Sequence, residues 1–202
     1  MSLAQAAPFA SSQLGREAVW GALFRPRALF GSLTPGSLVP AAQLAVANFA
    51  LVAVATVLTD DALWLGDPLR AWGRGLALWF VGSAWLLGPQ AYLFKWVMRT
   101  FGADQPLSLA QRGMAALSTL LSVFGVVLSV AGTNPESAPF VITWLLALLV
   151  AAVLAAHALF RLAEGAYRLP RNKAAASVLT FAFVHGFALT LALGVLFSVV
   201  GS

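Results

Sequence analysis

Five long apolar runs constrain the fold of this chain more than any other feature of its sequence. They lie near residues 37–58, 75–98, 113–132, 139–160 and 175–199. A helix that crosses about 30 Å of hydrocarbon needs about 20 mostly apolar residues. Each run is continuously apolar, whereas a membrane β-strand alternates over about ten residues, so the runs are predicted to be helical. The sequence therefore predicts an all-α polytopic membrane protein with five transmembrane helices.

The composition indicates the same class of protein. Only 9% of the 202 residues are charged and 60% are hydrophobic, whereas about 25% of the residues in a soluble domain are charged. We expect residues 1–15 to form a mobile tail rather than a signal peptide, residues 16–36 an interfacial amphipathic segment, and residues 37–199 one five-helix bundle. The chain contains no cysteine, which excludes disulfides, thiolate metal sites and thiol nucleophiles.

The basic residues are distributed unequally between the two sides of the predicted bundle. One side carries ten of the twelve, namely Arg16, Arg25, Arg27, Lys95, Arg99, Arg112, Arg161, Arg168, Arg171 and Lys173. The positive-inside rule then predicts a cytoplasmic N-terminus and an outside C-terminus. The excess of arginine over lysine and the abundant alanine favour a bacterial protein, hence one of the inner membrane. The net charge of +5 indicates attraction to anionic lipid rather than nucleic-acid binding.

The segment that precedes the first run combines aromatic and basic residues around two prolines. We expect Arg25 and Arg27 to stay at the lipid headgroups while Trp20, Phe24 and Phe30 enter the acyl boundary. The Thr-Pro-Gly sequence at 34–36 predicts the bend that turns the chain into the bilayer. Two interpretations stay open for this segment: an ordinary juxtamembrane anchor, or a docking surface for another protein.

One short motif within this segment suggests a family. The sequence RPRALFGSL at 25–33, followed by five predicted spans and a short outer C-terminus, resembles bacterial members of the Yip-domain family, the Ypt/Rab-interacting membrane proteins. The resemblance extends over residues 20–199. It implies a five-helix membrane protein without a catalytic motif, whose eukaryotic relatives act in membrane traffic.

Asn48, Gln90 and His185 stand out among the polar residues within the apolar runs, where polar side chains are costly in hydrocarbon. Asn48 and His185 lie near the middle of the first and fifth runs, so the two side chains are expected to hydrogen-bond if those helices are neighbours. Gln90 follows Pro89, which leaves the carbonyl of Trp85 without its helical partner and predicts a kink. The set is either a proton or solute pathway or a group of interhelical hydrogen bonds. No carboxylate lies inside any run, which argues against a pump.

Small residues recur at helical spacing in the last three runs. Side chains of this size allow close van der Waals approach of helices in lipid. They predict helix packing within the bundle, with self-association or a partner's helix as the alternative. The positions are Ser118, Ser122 and Gly125 in the third run, Ala147, Ala151 and Ala155 in the fourth, and Gly186 and Gly194 in the fifth.

Charged residues continue one face of the fourth predicted helix. His157, Arg161, Glu164 and Arg168 follow one another at spacings of 4, 3 and 4. They are predicted to form a solvated, salt-bridged helix end, or else a recognition surface or lipid-headgroup clamp. A candidate cytoplasmic interface therefore comprises Trp20, Phe24, Arg25, Arg27, Phe30, Arg161, Glu164 and Arg168.

Catalytic and metal-binding patterns are scarce in the sequence. Asp60, Asp61 and Asp67 cluster in an outer loop, where an aspartate caps a turn or contributes to a cation site. Neither histidine lies at metalloprotease spacing, and the sequence has no Gly-x-Ser-x-Gly elbow. We therefore expect no enzyme activity, no metal and no cofactor.

The expected function is that of a membrane protein that organises or recruits other membrane components through helix–helix and cytoplasmic-face contacts. Its expected partners are the lipid bilayer and either another membrane protein or a second copy of the chain. The alternative is a small transporter or channel subunit that uses Asn48, Gln90 and His185.

Overall fold

The chain folds into helices joined by short connections. The computed structural model describes residue 21, residues 25–131 and residues 138–200, and these contain no strand. The predicted tail at 1–15, together with Trp20 and Phe24, lies outside the described residues. The helices are α1 (Pro26–Ser32), α2 (Val39–Thr59), α3 (Asp61–Trp64), α4 (Pro68–Trp85), α5 (Ala91–Thr100), α6 (Leu107–Ala131), α7 (Ala138–Gly165) and α8 (Arg171–Val200).

Five helical segments are long and apolar enough to cross a membrane. They cover Val39–Thr59, Pro68–Thr100, Leu107–Val130, Val141–Gly165 and Arg171–Thr190. The predicted all-α fold with five transmembrane helices is therefore confirmed, and the chain is an integral membrane protein. The second span begins at Pro68 rather than at 75. Its start is fixed by the carboxylate of Asp67, which accepts the backbone N–H of Arg70.

The second span is interrupted at the proline, as the sequence predicts. A π-helical turn over Leu86–Gln90 contains Pro89 and joins α4 to α5. The side chain of Gln111, on α6, donates from Nε2 to the carbonyl of Leu87 at 3.0 Å. A neighbouring span thus supplies a polar contact where the regular hydrogen bonding of the second span is disturbed.

Helix α6 lies at the centre of the bundle. It contacts α2, α5, α7 and the π-helical turn. In its most apolar stretch 50% of the residues are buried, against 11% in α7. Ser118 and Ser122 are buried on this helix, and a Cβ on Gly125 would approach Val52 of α2 at 3.0 Å. The small residues of the third span therefore lie where α6 packs closely within the bundle.

Helix α1 packs against protein rather than lipid. Leu29 and Phe30 are 3% and 0% exposed and belong to the main apolar core together with Leu33. The helix contacts α7. The prediction that Phe30 enters the acyl boundary or lies on an exposed interface is therefore wrong. The reason is that α1 folds back onto the bundle, so its apolar side chains complete the core.

The small residues of the last two spans differ in their surroundings. Ala147, Ala151 and Ala155 are half-buried on α7, whose other side chains between 141 and 157 are mostly exposed. Gly186 is exposed, and a Cβ there would meet no atom within 4 Å. The prediction that Gly186 packs within the bundle is wrong, because this face of α8 points away from the other helices. Gly194 lies in the part of α8 whose packing is not described.

Candidate functional site

A recess opens between α1 and the C-terminal end of α7. It has a volume of about 960 Å³ and is lined by Arg25, Arg27, Ala28, Gly31, Ser32, Arg161, Glu164 and Gly165. We call it the basic recess. Four residues of the predicted interface, Arg25, Arg27, Arg161 and Glu164, therefore meet in space although they come from opposite parts of the sequence.

Helix α1 is held against α7 by backbone contact. Gly31 and Gly165 approach so closely that a Cβ on Gly165 would overlap the backbone of Gly31. Pro26 occupies the first position of the helix, where its missing N–H has no cost. The Ser32 hydroxyl donates to the carbonyl of Ala28 at 2.6 Å. These contacts fix one wall of the basic recess.

The connection after α1 is fixed by a buried arginine. Arg112, on α6, is 4% exposed and donates from Nη1 to the carbonyl of Thr34 at 2.8 Å. A side chain at Gly36 would overlap this guanidinium. The sequence places Arg112 only among the residues that set orientation. Its position shows that it also anchors the Thr-Pro-Gly bend to the central helix.

The charges of the basic recess are only partly paired. Arg161 contacts Glu164 at 2.7 Å between Nη1 and Oε2, and its guanidinium carbon lies 5.4 Å from the ring centroid of Phe160. Arg25 and Arg27 are exposed and form no ion pair with the described residues. Three guanidinium charges and one carboxylate leave a formal charge of +2 in the recess. Such an arrangement attracts phosphate or carboxylate groups.

The turn after α7 separates Arg168 from this site. Helix α7 ends at Gly165, and Arg168 lies beyond it with a φ of 56°, exposed to solvent. The prediction that Arg168 continues the face of Arg161 and Glu164 is therefore wrong. The adjacent Tyr167 is 2% exposed and its hydroxyl has no hydrogen-bond partner among the described residues. Burial raises the pKa of Tyr167 well above its ordinary value.

Asn48 contacts the central helix rather than the fifth span. Its Nδ2 donates to the hydroxyl of Ser118 at 2.8 Å and to that of Thr119 at 3.1 Å. The Ser122 hydroxyl lies 3.5 Å from its Oδ1. The amide is therefore satisfied by a group of hydroxyls on α6. The expected hydrogen bond between Asn48 and His185 is not formed.

His185 belongs to an aromatic contact between the second and fifth spans. Its Nε2 accepts from Trp85 Nε1 at 3.4 Å, and its ring stacks on Phe181 with 5.5 Å between centroids. Gln90 is half-buried in the π-helical turn and bonds to neither Asn48 nor His185 in the described part of the chain. The three polar residues therefore do not form one site.

A second recess lies at the opposite end of the bundle. It has a volume of about 540 Å³, and its charged lining comprises Asp60, Asp61, Asp67, Arg70 and Arg74. Arg74 donates from Nη1 to both carboxylate oxygens of Asp60, at 2.8 and 3.1 Å, and Asp67 caps α4. Within the described ranges no three His, Cys, Asp or Glu side chains are grouped to hold a metal ion.

Several residues that shape these sites carry no distinctive signal in the sequence. Gly31 and Gly165 are two among 17 glycines, and only the contact of α1 with α7 distinguishes them. Gln111 lies before the third apolar run, so the sequence suggests a loop residue. In the structure α6 begins at Leu107 and includes Gln111. Comparison of the chain with protein-family models, curated proteins and solved structures finds no match.

Proposed function

We propose that this protein is a non-enzymatic membrane protein that organises or recruits other membrane components through the basic recess. The proposal rests on one observation, which is that Arg25, Arg27 and Arg161 line the same recess. Two of these three arginines have no counter-charge among the described residues. Guanidinium groups that face one recess without such counter-charges are suited to bind an anionic group of a partner.

The rigidity of α1 supports this proposal. Leu29, Phe30 and Leu33 are buried in the core, so the helix that carries Arg27 is fixed before any partner binds. Binding to a preformed site loses less conformational entropy than binding to a flexible segment. The segment therefore acts as part of the folded bundle, and the interfacial-anchor interpretation accounts for its arginines but not for its buried face.

The side of the membrane is part of the same proposal. Arg25, Arg27, Lys95, Arg99, Arg161, Arg168, Arg171 and Lys173 flank the same ends of the five spans. The positive-inside rule places these ends in the cytoplasm of a bacterial inner-membrane protein. The architecture that we propose is Yip-like, on the strength of the RPRALFGSL segment at 25–33 and the five spans that follow it. We do not propose transport, since Asn48 and His185 lie at separate helix contacts and Gln90 bonds to neither within the described ranges.

Site-specific photocrosslinking tests the proposal in intact cells. Ala28 lines the recess and is exposed, so a crosslinking residue placed there reaches a bound component without disturbing the core. Ala175 is exposed on the same side of the bundle, near the start of α8, and serves as the matched control. We expect a crosslinked product at position 28 that is absent at 175 and is lost when Arg25 and Arg27 are both replaced by alanine.

The test uses the arginine variants because deleting the whole segment would also disturb the folded core. Removing residues 16–33 would also remove Leu29, Phe30 and Leu33 from the core. The proposal is contradicted if positions 28 and 175 give the same products, or if the product at 28 persists without both arginines.

A further inference from the structure

We infer that the basic recess binds the phosphate-bearing headgroup of an anionic phospholipid. This inference rests on the proposed function and names the partner of the same recess. It depends on three features: the charge of the recess, its guanidinium chemistry, and an exposed apolar strip that leads from it into the membrane.

The charge and chemistry of the recess suit phosphate. Its formal charge of +2 balances the two phosphodiester groups of cardiolipin. Each guanidinium presents a planar fork of N–H donors that matches two phosphate oxygens. Arg25 and Arg27, which form no ion pair with the described residues, are able to do so, while Arg161 is held by Glu164 at 2.7 Å between Nη1 and Oε2. Basic pockets at the cytoplasmic ends of membrane helices are a recurrent way to bind such headgroups.

An apolar strip continues from the recess along α7. His157, Val153 and Leu149 precede Arg161 at intervals of four residues. Each step turns by about 40° around the helix, so this row winds around α7 as it leaves the recess. Val153 and Leu149 are 60% and 61% exposed. The strip changes from charged to apolar over about 18 Å, since twelve residues rise by about 1.5 Å each. A lipid fits both parts, with its phosphates in the recess and its acyl chains along the strip.

A lipid fits these features better than a soluble phosphate or an acidic peptide. A soluble phosphate makes no use of Val153 and Leu149. A peptide interface draws most of its binding energy from buried aromatic and arginine anchors, and the described lining of the recess contains no aromatic residue. Gly31 and Gly165 line the recess without a side chain that would fill it.

Lipid titration of the purified full-length chain tests the inference. The protein is held in phosphatidylcholine nanodiscs, cardiolipin is added in increasing fractions, and bound lipid is counted by native mass spectrometry after gentle release. We expect selective cardiolipin retention. Replacing Arg25 and Arg27 by alanine should weaken it on the order of a hundredfold, since each lost hydrogen bond to a charged phosphate contributes about 1.5 kcal/mol.

Two variants control for general charge effects. Arg171→Ala with Lys173→Ala removes the same charge from exposed positions outside the recess, and we expect affinity within twofold of the parent. Glu164→Gln raises the charge of the recess by one and should strengthen cardiolipin binding severalfold. Equal weakening by both double variants would overturn the inference, because binding would then follow net charge alone.

Competition experiments and one further variant distinguish the possible ligands. We expect millimolar inorganic phosphate or glycerol 3-phosphate to leave bound cardiolipin in place, and Val153→Ser to weaken retention. Displacement by either soluble phosphate, or tighter binding of a polyglutamate peptide than of cardiolipin, would overturn the inference. If cardiolipin is not selected while the product at position 28 still requires Arg25 and Arg27, only the lipid inference fails. If cardiolipin is selected but the crosslinked product at position 28 still forms when Arg25 and Arg27 are both replaced, the proposed recruitment fails instead.

Discussion

At the scale of single residues, a polar side chain inside a span predicts a partner but does not identify it. The sequence singles out Asn48, and the structure places it against Ser118 and Thr119 of α6. Depth alone suggests His185, which lies on a helix that contacts α5 and α7. The missing information is the rotation of each helix about its axis, which packing decides.

Replacing Asn48 by leucine should lower the free energy of unfolding by about 1 kcal/mol. Interhelical hydrogen bonds in membranes contribute about 0.6 kcal/mol on average, and two are lost here. Unfolding by SDS in mixed micelles measures the change. Gln43→Leu is the control, since Gln43 is an exposed polar residue of the same helix; an equal loss in both variants would contradict the assignment.

Replacing Tyr167 by phenylalanine should keep or raise stability by up to about 1 kcal/mol, because it removes a buried hydroxyl that has no hydrogen-bond partner among the described residues. Its ring stays packed edge-on against Phe94. Burial raises the pKa of Tyr167, so the folded state favours the neutral phenol. Stability from this source is complete below the unfolded pKa of about 10 and falls at higher pH. The free energy of unfolding, measured between pH 8 and 11, should show this loss in the parent but not in Tyr167→Phe. The control variant Tyr92→Phe should show the same loss as the parent.

At the scale of helices, hydropathy identifies which segments span but not which of their faces touch. The small residues of α6 pack as expected, whereas Gly186 meets open space. Conversely, Gly75 and Gly82 of α4 carry the contact with α2, through Ala53, Val57 and Phe49, although no stripe in the sequence marks them. Whether a glycine packs against another helix depends on which helices are its neighbours. The sequence of one helix does not contain that information.

Enlarging a packed glycine should therefore lower stability, whereas enlarging an exposed one should not. A side chain at Gly75 would overlap Val57 and lie 3.2 Å from the carbonyl of Ala53, so Gly75→Leu should lower the melting temperature in detergent by several degrees. Gly186→Leu should leave it unchanged. The same Gly186 variant reports on self-association: a smaller particle in size-exclusion chromatography would identify this face as an oligomer contact. Destabilisation by Gly186→Leu alone would contradict the packing described here.

At the scale of the whole molecule, the sequence predicts the class, the number of spans and the four charged residues of the candidate site. It does so because crossing hydrocarbon imposes length and apolarity residue by residue. The packing of α1 against α7, by contrast, cannot be predicted from the residues of either helix alone. It depends on backbone contact between Gly31 and Gly165, and on the burial of Phe30, whose apolar character fits lipid and protein equally well.

The orientation of the bundle can be tested directly because the chain has no cysteine. Leu65 is 85% exposed in the connection between the first two spans, and Arg171 is exposed at the start of α8. A cysteine at position 65 should react with a membrane-impermeant maleimide in intact cells. A cysteine at position 171 should react only after permeabilisation, and the reverse pattern would invert the proposed topology.

The central place of α6 has a consequence for biogenesis. Asn48 precedes its partner Ser118 by 70 residues, so the ribosome needs roughly 4–14 s to make the second after the first. During that interval the hydroxyls of Ser118 and Thr119 have not yet been synthesised. The hydrogen bonds that join the first and third spans therefore form only after the third span has been made.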